Sequence, residues 1–125
     1  VFERLLSEVS TAYSQEDLAA LQRYATPEMV GYFAEDMKEN ASKGLVDRTS
    51  DVKLLQGDLA EAWVEGETAY ATVAMRFEAI NTMADRKTGK VVEGNATIPQ
   101  QSTELWTFAC RRGASWQVSA IQQPN

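Results

Sequence analysis

Glu104 stands two residues before Trp106 in the stretch TELWTFAC, on the strand parity that also carries Phe108 and Cys110. Inside a cavity, a carboxylate on that parity would lose water, its pKa would rise, and it could take a proton from a bound substrate as a general base. At the start of a strand the same group is simply hydrated, and that is the reading adopted for Glu104. The chain has no histidine, which removes the commonest general base and every Ser-His or Cys-His pair. Cys110 is the one cysteine, so it cannot close an internal disulfide. Its place beside Trp106 and Phe108 makes it a small buried hydrophobe rather than a reactive thiol. Zinc, calcium-loop and phosphate-loop spacings are all missing from the sequence. No catalytic residue, cofactor or metal is therefore expected.

Binding chemistry is better represented. Met29, Phe33, Met37, Trp63, Met75, Phe77, Trp106, Phe108 and Trp116, with Tyr24, form a large apolar set. Most of such a set packs as core. A strongly bent sheet covered by helices rarely fills completely, so these residues are also the candidates to line an apolar pocket. Arg86, Lys87 and Lys90 fall in one hairpin, and Arg111 and Arg112 at another turn, in a chain whose net charge is −6. Solvated turns explain them most simply. If the two turns meet at one end of the sheet, they would make a basic rim able to touch lipid headgroups at about 1 kcal/mol per charge. Tyr70, Thr72 and Arg76 share a parity that could take an anion, although an exposed or oligomer-forming sheet face accounts for them as well. The acidic balance argues against a nucleic-acid partner. Asn40-Ala41-Ser42 and Asn95-Ala96-Thr97 fit the glycosylation pattern, but nothing in the sequence indicates secretion.

The elements that must position these residues follow from periodicity. At 125 residues, 44% of them hydrophobic, the chain is expected to form one domain over residues 1–125. Phe2, Leu5, Leu6, Val9 and Tyr13 recur at helical spacing. Ser14 with Asp17 has the form of a capping box for a second helix that buries Leu18 and Leu21. Thr26-Pro27-Glu28 starts a third helix running to about Ser42, with Gly44 as its stop. Beyond Gly44 the period changes to two. A first strand carries Val52, Leu54 and Val64, with Gly57 read as a bulge or bend, and turns at Glu65-Gly66. Thr68 to about Met83 is the longest strand, Arg86 to Gly89 a hairpin turn returning through Val91-Val92, and Thr103 to Gln123 a closing strand pair. On its last strand Trp116, Val118 and Ala120 share a parity. The result is an α+β domain with helices packed on one face of a bent antiparallel sheet. No run of about 18 apolar residues is present to span a membrane.

The segments DVKLLQGDLAEAWVEGETAYATVAMRFEA, DRKTGKVVEGN and TELWTFACRRGASWQVSAIQQ carry a resemblance. Their order and wording resemble a nuclear-transport-factor-2-like cone. Within that superfamily they are similar to the C-terminal domain of the import-motor scaffold of the mitochondrial inner-membrane translocase, its forty-four-kilodalton subunit, and more closely to its bacterial relatives. The resemblance implies a non-enzymatic scaffold or binding domain, peripheral on the inner (cytoplasmic) membrane, with an apolar pocket. Its implied partners are inner-membrane lipids, cardiolipin among them, and membrane or translocase-like proteins. An anchoring segment upstream of Val1 is also expected. The alternative kept beside it is a small-molecule enzyme or ligand carrier of the cone superfamily that uses a cavity carboxylate such as Glu104.

Overall fold

The computed structural model describes residues 1–123. Three helices, α1 (Phe2–Ser14), α2 (Leu18–Tyr24) and α3 (Pro27–Ser42), precede five strands. These are β1 (Leu45–Glu65), β2 (Thr68–Asp85), β3 (Val91–Gly94), β4 (Gln100–Arg111) and β5 (Gln117–Gln122). The α+β class and the helices-then-strands order match the reading from periodicity.

Local chemistry sets the helix boundaries. The expected capping box at Ser14 does not form, because α1 runs through Ser14 and buries it. The Ser14 hydroxyl accepts instead from the Thr49 backbone N–H at 2.9 Å, tying the helix end to β1. Asp17 caps α2, its Oδ1 accepting from the Ala20 N–H at 3.1 Å. Pro27 occupies the first turn of α3 as expected, and Gly44 ends the helical run at φ +72°. Thr26 sits at the N-cap position, yet its buried hydroxyl has no hydrogen-bond partner among the described residues. The linkage between α2 and α3 is stitched to the sheet instead, with the Thr26 N–H donating to the Val118 carbonyl at 2.9 Å.

The sheet is antiparallel in the order β1-β2-β4-β5, with β3 paired to the far end of β2. β1 and β2 form a long hairpin whose pairing runs from Leu45 opposite Asp85 to Glu65 opposite Thr68. Three irregularities interrupt β1, between Ser50 and Lys53, Leu54 and Gln56, and Leu59 and Glu61. Gly57, expected as a bulge or bend, pairs with Met75 and lies between the second and third of these. At the first, Asp51 adopts φ +53°, the left-handed conformation of a bulge residue. The extra residue moves the helix-facing parity of β1 from Asp47 and Thr49 to Val52 and Leu54. A further shift opposite Thr107 and Phe108 does the same in β5, so that Ile121, not Ala120, pairs with Trp106.

The core lies between the three helices and the inner faces of β2, β4 and β5. Leu6, Leu21, Met75, Phe108 and Val118 are its most enclosed side chains. Each such burial removes apolar surface worth roughly 1.5–3 kcal/mol. Phe2 stacks on Phe108 with ring centroids 4.4 Å apart, which fixes the start of α1 over the closing strand pair. The helices do not reach the far end of β1, where Leu59 and Val64 remain 64% and 71% exposed.

Candidate functional site

A cavity of about 330 Å³ opens where α1 and α3 part from the sheet at the level of the Asp51 bulge. Its walls are four rings, Tyr13 from α1, Phe33 from α3, Phe77 from β2 and Trp106 from β4, together with Val9 and Ile121. Ser10, Thr49, Ala79 and Ser102 line it as well. These small side chains leave the space unfilled, which is why a cavity exists here and not over the Met75–Phe108 centre.

The polar groups are carboxylates and their neutral donors. Asp36, Asp47 and Glu104 all line the cavity. The Asn81 amide donates to Asp47 Oδ1 at 2.7 Å and to Thr49 Oγ1 at 2.9 Å. The Trp106 indole N–H donates to Glu104 Oε1 at 3.0 Å, and the Gln123 amide to Oε2 at 2.6 Å. Burial pushes the Asp47 carboxyl up from its ordinary value; the Asn81 hydrogen bond opposes this and the charge on Asp36 adds to it. The Tyr13 phenol is pushed up to about 12 by burial first and then by the charges on Asp47, Asp36 and Glu16. Tyr13 packs edge-on against Phe33 at 5.4 Å. The arrangement concentrates negative charge in an aromatic, half-enclosed space.

The nine expected pocket residues divide. Phe33, Phe77 and Trp106 line the cavity. Met37, Met75 and Phe108 are buried core. Met29 is buried too and borders a separate shallow hollow between α3 and β5. Trp116 packs edge-on against Phe2 and, with Tyr24, borders a hollow near the start of α1. Trp63 lies on the distal half of β1, stacked on Tyr70 at 5.1 Å, away from the helices. The residues that sequence reasoning missed are Asp36, Asp47 and Asn81. Asp47 lies before the point where the expected first strand began, and only the pairing of β1 with β2 brings it to Asn81.

The basic turns are not one rim. Arg111 pairs with Thr68 at the start of β2, whereas Arg86, Lys87 and Lys90 follow the end of β2 at Asp85. An antiparallel strand separates them along its whole length. Arg86 is not a free turn cation either, because its guanidinium grips Glu16 at 2.7 and 2.9 Å and donates to the Leu45 carbonyl at 3.0 Å. That pair holds Glu16 below its ordinary carboxylate value.

A family model described as Tim44-like domain matches residues 2–123. The chain belongs to the Tim44-like domain family. No curated protein matches it. Among solved structures, the Tim44-like domain is similar to the intermembrane space region of the chloroplast protein ARC6, with a TM-score of 0.59 at 14% identity, covering 98% of this chain and 94% of that one. At that identity the likeness concerns the fold. A second neighbour is RPA3114, a SEC-C motif containing protein from Rhodopseudomonas palustris, with a TM-score of 0.43 at 15% identity over 97% of this chain and 77% of that one. Among the described residues of the Tim44-like domain, no helix is long and apolar enough to cross a membrane.

Proposed function

We propose that this Tim44-like domain is a non-enzymatic binding domain, peripheral on the inner (cytoplasmic) membrane, that holds a small ligand or a partner's side chain between its helices and its sheet. The observation that carries the proposal is the cavity walled by Tyr13, Phe33, Phe77 and Trp106. Its volume of about 330 Å³ lies at the lower end of the roughly 300–1,000 Å³ found for small-molecule sites. One short chain or one large side chain fits; a whole multi-chain lipid such as cardiolipin would have to be met elsewhere on the surface. The membrane setting and protein partners are supported by the family.

The enzyme reading has less support. Both Glu104 oxygens already accept hydrogen bonds, from an indole and an amide, and the Tyr13 phenol at about 12 holds its proton at neutral pH. Neither is poised to remove a proton from a substrate.

The neutral dye Nile red tests the cavity. Its emission should brighten and shift to the blue with the parent chain. Ser102→Trp, which fills the space from an exposed lining position, should abolish the change while circular dichroism stays the same. A parent chain that leaves the dye dark, or a filled variant that still lights it, would overturn the proposal.

A further inference from the structure

The cavity accumulates charge that nothing in its lining neutralises. Asp36, Asp47 and Glu104 contribute three carboxylates, and among the described residues no lysine or arginine lines the space. Asp47 is answered by the Asn81 amide, and Glu104 by the Trp106 indole and the Gln123 amide. All of these are neutral donors. Hydrogen bonds from neutral groups satisfy lone pairs, but they leave the field of two half-buried carboxylates in place. An anionic guest would be repelled, and a neutral one would strip water from Asp47 without replacing its countercharge.

An ammonium or guanidinium group changes the sign of each of those costs. Placed between Asp36 and Asp47 it supplies the missing charge, and the surrounding rings attract it through their electron-rich faces. Its apolar stem would then lie along Phe33 and Phe77. We propose that the cavity is a binding site for an organic cation, an ammonium or guanidinium group carried on one short apolar stem. This rests on the reading of the domain as a cavity-binding module and adds the class of ligand.

The test is calorimetric titration at pH 7 with n-octylamine hydrochloride, 1-octanol and sodium octanoate, with intrinsic tryptophan fluorescence followed in parallel. The amine should bind about tenfold or more tightly than the alcohol, and the carboxylate should not bind. Asp36→Asn with Asp47→Asn should erase the preference for the amine. Asp58→Asn with Glu61→Gln removes the same number of charges from the exposed far half of β1 and should preserve it. Asp36→Asn alone, at an exposed position, should weaken the amine selectively and guards against misfolding of the double variant. N-acetyl-lysine methylamide separates two sources: binding by it as well as octylamine assigns the site to a lysine side chain of a partner, whereas binding of octylamine alone assigns it to a free amphiphile. If the alcohol binds as tightly as the amine, the cation proposal fails while the cavity reading stands. If the amine binds undiminished in the Asp36 and Asp47 variants, its site is elsewhere and the proposal fails again. If no ligand binds at all, both fail.

Discussion

Asp47 and Glu16 are carboxylates near the same end of α1, and their environments push them in opposite directions. Burial raises Asp47, so the folded state holds that proton more tightly than the unfolded chain. Stability is then lost as pH rises between the unfolded and folded values. The groups facing Asp47 are Tyr13 from α1, Asp36 from α3 and Asn81 from β2, and no cation is among them. Asp47→Asn keeps an oxygen for the Asn81 amide and should make the domain more stable at pH 7, with the advantage fading as the pH falls to the unfolded carboxyl value of about 3.9. Glu16 is lowered by its hydrogen bonds from Arg86. Its contribution is present above its unfolded value and lost as pH falls through the folded one. Glu16→Gln should therefore be less stable than the parent at pH 7, with the deficit closing in acid. Urea unfolding of both variants from pH 3 to 8 measures the two signs in one series; a pH-independent difference for either would refute its assignment.

At the scale of elements, the regular parts were legible and the irregular ones were not. Thr26-Pro27 and Gly44 bound α3 in the sequence because caps and stops are local chemistry. The shared inward parity of Trp106 and Phe108 could be read for a similar reason, since alternation needs no partner. Bulges depend on which residue of the neighbouring strand is opposite, and one strand alone does not contain that information. The Asp51 bulge therefore stayed hidden, and with it the cavity residues Asp47 and Thr49 that it turns toward the helices. The bulge also makes a prediction. A left-handed conformation costs an ordinary side chain roughly 1–2 kcal/mol, less for aspartate and nothing for glycine. Asp51→Val should destabilise the domain by about that amount and weaken whatever binds the cavity, because a bulge that migrates flips Asp47 to the other face. Asp51→Gly, at the same exposed position, should preserve both. Chemical denaturation together with dye binding separates the outcomes, and equal behaviour of the two variants would show that φ at this position does not set the register.

The whole molecule decides what its basic turns can do at a membrane. β2 has 18 residues, which at about 3.3 Å per residue keeps its two ends on the order of 50 Å apart. Screening at physiological salt acts over about 8 Å, so the Lys87–Lys90 turn and the Arg111–Arg112 turn are electrically independent. Arg86 is committed to Glu16, which leaves two exposed cations in each turn. Two charges contribute about 2 kcal/mol at an anionic surface, opposed by a net charge of −6 over the chain. The domain alone should consequently float weakly with cardiolipin-containing liposomes at low salt, hardly at all at physiological salt, and not with neutral ones. Lys87→Gln with Lys90→Gln, and separately Arg111→Gln with Arg112→Gln, should each remove only part of the recovery and should combine additively, without moving the melting temperature. If either pair alone abolished flotation, the two ends would be acting as one surface, contrary to the sheet topology. Equal recovery with anionic and neutral liposomes would mean that these cations are not the contact, and that the domain meets the bilayer through the exposed Leu59 and Val64 end of β1.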